Sequence, residues 1–251
     1  MSEKQESKAS IEMSSKRLYY ASAILMIIGG IGGLVLARLS GVLYASGVPS
    51  DTTGYLRLFA QHQMLAAADW TLWIAVDITI VLPSIGLYYI LRNVNKTVAL
   101  VGSAFSIAYI AFDIAVTELS SLKLVSLSQS YTVAANTAAK ASVVSQATSI
   151  VNALPLMTFF SFTIGAVGWL LWSILMPKSF FRKTTAIFGV IVNVMGFLGG
   201  VAVYVPALGI FNVFGALLTA LWFLLVGAQM LRHISRSTNV VSDQTASSAP
   251  L

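Results

Sequence analysis

Long apolar runs alternate with short polar segments along the chain, and this pattern predicts a membrane topology. A helix needs about 20 apolar residues to cross a hydrocarbon core about 30 Å thick. Six runs meet this length, at about residues 18–37, 69–91, 97–117, 150–176, 184–205 and 207–231. We therefore predict an all-α integral membrane bundle of about six transmembrane helices within residues 18–232, flanked by a disordered leader at 1–17 and a disordered tail at 233–251.

The second apolar run contains a carboxylate far from either end. Asp77 lies eight residues beyond Asp69, which is about 12 Å deeper at helical rise. A charged side chain at the bilayer centre costs at least about 2.5–3.5 kcal/mol, so such residues face a bundle interior or water. Helical spacing places Trp73, Asp77 and Ser84 on one stripe, and we expect this stripe to face the bundle.

Glycines and one proline predict how the helices pack. Gly29 and Gly33 have the GxxxG spacing that lets helix backbones approach closely, and Gly196 and Gly200 repeat it in the fifth span. Pro83 lacks an N–H and leaves the carbonyl four residues earlier without its helix partner, so we predict a kink in the second span.

Two longer polar segments separate the spans on one side. In residues 38–68, the pattern from Tyr55 to Ala68 predicts a helix that either lies along the interface or extends the second span outward. If this helix is continuous, His62 and Asp69 share one face, which favours a surface hydrogen bond over a metal pair. Residues 118–149 are too polar to span, and we expect an exposed helical hairpin or a cap over the bundle mouth.

Composition supports the membrane class and excludes several functions. The chain is 57% hydrophobic and only 10% charged, whereas soluble proteins average about 25% charged residues. The absence of Cys excludes disulfides, thiolate metal sites and iron–sulfur clusters. The motifs HExxH, GxSxG, the Walker loop and CxxC are absent, so an enzyme is the least favoured class. We predict no cofactor and no metal.

Basic residues predict the orientation. The six-span topology places eleven Lys and Arg residues on one side and four on the other, Arg38, Arg57, Lys123 and Lys140. Positive residues favour the cytoplasm, so we predict that both termini are cytoplasmic in a multi-pass protein of the cell membrane. The net charge of +6 reflects these flanking residues, and we expect the lipid bilayer as partner and no nucleic acid.

Polar residues within three spans suggest a pocket. Asp77, Asn193 and Asn212 lie near the middle or in the outer half of their helices, and Asp113 lies near the outer end of the third span. Because polar groups in hydrocarbon seek one another or water, we hypothesise an outward-facing ligand or proton pocket that includes Asp77, Asn193, Asn212, Asp113 and Trp73. The alternative is that Asp77 only joins helices through a hydrogen bond.

Sequence motifs also carry a family resemblance. Two stretches resemble a prokaryotic family of small multi-pass membrane proteins with a domain of unknown function. They are the run YYILRNVNKTVALVGSAF, which follows a span that opens with LAAADW, and the basic turn KSFFRKTTAIFG. The resemblance covers about residues 18–232 and implies about six helices and no assigned chemistry.

Two functional classes stay open at this stage. The first is a non-enzymatic accessory or helix-packing module, which binds a membrane-protein partner or forms a homo-oligomer through its glycine-rich helices. The second is a small transporter or lipophilic-ligand binder that uses a pocket around Asp77. The packing glycines favour the first class slightly, and the intramembrane polar residues favour the second.

Overall fold

A computed structural model gives the fold, and it describes the backbone of residues 3–247 and the side chains of 16–236 except 206, 212 and 213. Within this part the chain is helical and contains no strand. The helices are α1 (Glu3–Leu43), α2 (Thr52–Gln61), α3 (Gln63–Leu91), α4 (Lys96–Phe112), α5 (Leu119–Val133), α6 (Thr137–Leu175), α7 (Lys183–Val201) and α8 (Gly209–Ser247). A π-helical turn, Asp113–Glu118, joins α4 to α5.

Six stretches of the described chain are long and apolar enough to cross a membrane, which confirms the predicted six-helix bundle. They are Lys16–Leu43, Gln63–Leu91, Lys96–Val133, Thr137–Lys178, Lys183–Val201 and Gly209–Arg236. An even number of crossings puts both chain ends on one side, called here the terminal side. The opposite side carries α2 and the turn between α5 and α6, and is called the cap side.

The six spans form a closed ring, in which α1, α3, α4, α6, α7 and α8 are neighbours in that order and α8 returns to α1. Large aromatic side chains fill the interior, and Trp172 and Trp222 are completely buried. Aliphatic side chains such as Ile78 and Ile191 are more than half exposed on the outer faces. A helix that is apolar on all sides suits a membrane, because lipid covers the outer face.

The third and fourth spans are longer than predicted, because residues 118–149 continue them as a helical hairpin. The hairpin contributes apolar side chains that pack on α2 in a small separate core, to which Leu56, Phe59, Leu124 and Ile150 belong. Burial in and around this core raises the pKa of the Tyr44 hydroxyl, and that of Tyr55, above the ordinary range. The expected cap over the bundle mouth is therefore a packed structure.

The structure does not meet the condition under which His62 and Asp69 would share one helix face. The helix from Tyr55 does not continue into α3, because the backbone of His62 (φ −122°, ψ 38°) breaks it. His62 is exposed, whereas Asp69 is buried and its Oδ1 accepts a hydrogen bond of 2.8 Å from Ser40 Oγ. The proposed pairing of His62 with Asp69 is thus replaced by a bond between α3 and α1.

The two glycine pairs contact different parts of the bundle. A Cβ on Gly29 would lie 2.6 Å from a side chain of α3, and one on Gly33 would lie 2.9 Å from a side chain of α8. Gly29 and Gly33 therefore allow α1 to pack closely against both α3 and α8. A Cβ on Gly196 or Gly200 would instead meet α6, at 3.7 Å and 3.1 Å respectively.

The disorder of the two chain ends and the kink at Pro83 remain predictions. The predicted leader, 1–17, and tail, 233–251, fall largely on residues whose side chains lie outside the described part. Pro83 is buried inside α3, which is helical on both sides of it.

Candidate functional site

Three acidic side chains meet in the interior of the bundle, on the cap side of its middle. Asp77 comes from α3, and Asp113 and Glu118 come from the π-helical turn. A carboxylate oxygen from each lies within 4.8 Å of the other two. The exposed fractions are 1% for Asp77, 8% for Asp113 and 1% for Glu118. We call these three residues, with Tyr109 and Ser161, the acid layer.

The π-helical turn is what aligns two of these acids. In a regular α-helix, residues five apart point about 140° away from each other, since each residue turns by about 100°. In a π-helix the N–H bonds to the carbonyl five residues earlier, and the N–H of Leu119 does so with Ile114 O. The wider turn brings Asp113 and Glu118 to one face of the helix. Such turns occur frequently at functional sites.

Hydroxyl groups hold the two aspartates. Tyr109 Oη donates a hydrogen bond of 3.1 Å to Asp77 Oδ1. Ser161 Oγ, on α6, donates one of 2.7 Å to Asp113 Oδ1, and lies 3.1 Å from Thr117 Oγ1. The acid layer thereby connects α3, α4 and α6 across the ring.

Three other carboxylate oxygens of the layer lack partners among the described residues. Asp77 Oδ2 and both carboxylate oxygens of Glu118 are buried and have no hydrogen-bond partner among the described residues. Leaving a buried polar group unsatisfied costs about 1–3 kcal/mol, and more when the group is charged. A ligand that contacts these oxygens would therefore stabilise the arrangement.

The local charges indicate the sign of that ligand. The ionisable groups that interact with Asp77 through electrostatics or a hydrogen bond are Asp113, Glu118 and Tyr109, and none of them is basic. Asp113 and Glu118 likewise have no basic neighbour among the groups that act on them. Three acids at this spacing cannot all be charged in a medium of low dielectric without a compensating cation.

A second polar layer lies about two to three helical turns toward the terminal side. Ser84 Oγ and Ser106 Oγ are 2.9 Å apart, and Ser103 Oγ donates to the Ser84 carbonyl oxygen at 2.9 Å. Trp169 Nε1 donates to Ser106 Oγ at 3.0 Å, and Trp172 Nε1 donates to Ser103 Oγ at 3.2 Å. We call these five residues the serine layer. All of its polar side chains have a hydrogen-bond partner.

Comparison with protein families assigns the chain. A family model described as Domain of unknown function (DUF4386) matches residues 21–233. The chain belongs to this family. The match includes both polar layers and the cap, and it confirms the resemblance inferred from the sequence motifs. Comparison with curated proteins found no match, and neither did comparison with solved structures.

For this DUF4386 member, the structure unites only part of the predicted pocket. Asp77 and Asp113 come together in the acid layer, whereas Asn193 donates hydrogen bonds to Gly189 O at 2.7 Å and Ser173 Oγ at 3.4 Å. Trp73 is half-buried. The side chain of Asn212 lies outside the described residues.

Asp113 is deeper than the sequence indicated. Its predicted position near the end of a span assumed that the third helix stops at Thr117, but that helix continues to Val133. Asp113 is therefore flanked by helix on both sides and is buried.

Sequence reasoning missed Glu118, Tyr109 and Ser161 as members of the site. A regular α-helix would turn Glu118 away from Asp113, so helical spacing does not pair these two acids. The signal that could have identified it is the placement of two acids five residues apart in a largely apolar stretch, DIAVTEL, which itself contains no basic residue.

Proposed function

We propose that the protein is a small membrane transporter whose substrate site, the acid layer, takes a cation. The single observation that carries this proposal is the set of three buried carboxylate oxygens without a partner, Asp77 Oδ2 and Glu118 Oε1 and Oε2. Intramembrane ionisable residues are rare and commonly mark ion or substrate pathways. The cation enters from the cap side, because the closed serine layer lies on the other side of the site.

We further propose that the cap side faces outward from a prokaryotic cell membrane and that both termini are cytoplasmic. The distribution of eleven basic residues on the terminal side and four on the cap side supports this orientation. Short connections on the terminal side and the lack of Cys support a prokaryotic source.

The packing glycines support the transporter over an accessory module. Gly29, Gly33, Gly196 and Gly200 each lie against another helix of this chain. Their close-approach surfaces are already used inside the ring, so they offer no free GxxxG face to a partner helix.

The test is charge movement across proteoliposomes that contain the purified protein. Solid-supported membrane recordings with CaCl2, MnCl2 and tetraethylammonium chloride should give saturable currents with at least one of these cations. Glu118→Gln should abolish the currents, because it removes the carboxylate with two free oxygens. Asp69→Asn is the matched control. Asp69 is a buried acid like Glu118, but it lies on α3 and accepts a hydrogen bond from Ser40.

Two outcomes would contradict the proposal. The first is a current that is equal in wild type and Glu118→Gln. The second is the absence of any current, together with a stoichiometric protein partner in native mass spectrometry of the protein extracted from its own membrane. That second result would favour the accessory module.

A further inference from the structure

We propose that Asp77, Asp113 and Glu118 are ligands of a single divalent metal cation, of the hard class that prefers oxygen ligands. This inference rests on the proposed function, because it names the class of cation that the acid layer takes. It departs from the expectation of no metal, which was drawn when the sequence offered only the pair His62 and Asp69.

The spacing of the three carboxylates fits one ion. Each contributes an oxygen, and these oxygens lie within 4.8 Å of one another. Ca²⁺ binds oxygens at about 2.3–2.6 Å, so two ligands of one ion can lie up to about 5 Å apart. Mg²⁺ binds at about 2.0–2.1 Å, which limits that separation to about 4.2 Å. A separation within 4.8 Å is therefore compatible with one ion the size of Ca²⁺, whereas Mg²⁺ needs the three oxygens to lie within about 4.2 Å of one another.

The kind of ligand atom points to a hard ion. Softer metals such as copper and zinc favour sulfur and imidazole nitrogen. The chain has no Cys, and neither His is near the acid layer. His62 is exposed at the break between α2 and α3, and His233 stacks on Phe180 on the terminal side.

In the acid layer, some carboxylate oxygens are free to bind a cation, and others are held in place by hydrogen bonds. Glu118 is 1% exposed and both of its oxygens lack partners, although one of them lies among the aspartate oxygens. Tyr109 holds one oxygen of Asp77, whose other oxygen is free. Ser161 orients Asp113. Tyr109 and Ser161 are positioning residues in this site, and loss of such partners typically lowers metal affinity by about 10–100-fold.

The experiment is a titration of the purified full-length protein in detergent after treatment with EDTA. Electron paramagnetic resonance of added MnCl2 counts bound Mn²⁺, and CaCl2 and MgCl2 serve as competitors. We expect one saturable Mn²⁺ site per chain, and stronger competition by Ca²⁺ than by Mg²⁺. Failure of the wild type to bind Mn²⁺ with saturation, and failure of Ca²⁺ to protect it against thermal unfolding, would overturn the inference.

Variants separate the site from surface binding. Glu118→Gln and Asp77→Asn should each lower the Mn²⁺ affinity by at least about tenfold. Ser161→Ala should lower it by about 10–100-fold and keep one site per chain. Asp69→Asn should bind as the wild type does. Equal affinity in wild type and Glu118→Gln, with both proteins folded by circular dichroism, would contradict the assignment.

The two proposals fail in different ways. Currents carried by tetraethylammonium that depend on Glu118, without saturable binding of Mn²⁺ or Ca²⁺, would overturn the metal site and leave the cation transporter intact. Saturable Mn²⁺ binding that depends on Glu118, without any current, would support the metal site and overturn transport.

Discussion

The acid layer and the serine layer lie in the same bundle and join the same three helices, yet their hydrogen bonding differs. In the serine layer, Ser84, Ser103 and Ser106 partner one another, nearby carbonyls and the indoles of α6. In the acid layer, Asp77 and Glu118 together leave three buried oxygens without a partner. Both layers are equally closed to solvent, so burial does not distinguish them.

The difference teaches how to separate packing from binding among intramembrane polar residues. A buried polar layer that satisfies its own groups stabilises the helices around it, whereas a partly satisfied network is costly unless a ligand completes it. The serine layer therefore explains how α3, α4 and α6 stay together. The acid layer, which they position, is the proposed ligand site.

The largest expected effect comes from breaking the serine layer at Trp172. This side chain is completely buried and donates to Ser103, so Trp172→Ala leaves a cavity and removes one hydrogen bond of the Ser103 hydroxyl. We expect the free energy of unfolding to fall by about 3–5 kcal/mol, measured by thermal unfolding in detergent. Ile174→Ala is the control, because Ile174 is 53% exposed on the outer face of the same helix. A smaller loss at Trp172 than at Ile174 would contradict the role of this layer.

A second way to disturb the serine layer is to separate its helices. A Cβ on Gly168 would lie 2.9 Å from the backbone atoms Gly102 O and Ser106 N. Because backbone cannot move aside cheaply, Gly168→Ala should lower the free energy of unfolding by about 1–3 kcal/mol. Gly41→Ala is the matched control, since no atom lies within 4 Å of its added methyl group. Unchanged stability of Gly168→Ala would show that α4 and α6 pack loosely.

Most of the architecture could be predicted from the sequence, because lipid imposes a length and polarity on each span. Asp77 could also be found, since one acid in a long apolar run stands out. Asp113 was predicted to share a pocket with Asp77, but Tyr109 and Ser161 could not be assigned to it, because the pairing of α3 with α4 and α6 depends on the ring. The position of Glu118 depends on one π-helical turn, and the spacing of apolar residues along the sequence does not predict such a turn.

Two substitutions, one in each layer, should change the free energy of unfolding in opposite directions. Ser106→Ala removes the partner of Trp169 Nε1 and Ser84 Oγ, and should lower the free energy of unfolding by about 1–3 kcal/mol. Glu118→Met removes two unpartnered oxygens at similar volume, and should raise the stability of the metal-free protein by a similar amount, about 1–3 kcal/mol. Thermal unfolding in EDTA measures both. Destabilisation of the metal-free protein by Glu118→Met would mean that Glu118 is satisfied and that the two layers do not differ.

The smallest expected effect is at Tyr109, which links the two layers. Its ring packs edge to face on Trp169, with the ring centroids 5.1 Å apart, while its hydroxyl donates to Asp77. Tyr109→Phe keeps the ring and removes the donor, so the free energy of unfolding should fall by only about 0.5–1.5 kcal/mol. The Mn²⁺ affinity should fall by about 10–100-fold, because Asp77 loses the group that orients it. Trp169→Phe is the complementary change, since it removes the indole donor to Ser106, keeps an aromatic ring beside Tyr109 and leaves the hydrogen bond from Tyr109 to Asp77 in place. It should lower stability without altering Mn²⁺ affinity. If both variants changed stability and affinity in the same proportion, the two layers would act as one structural unit, and the separation of packing from binding would fail.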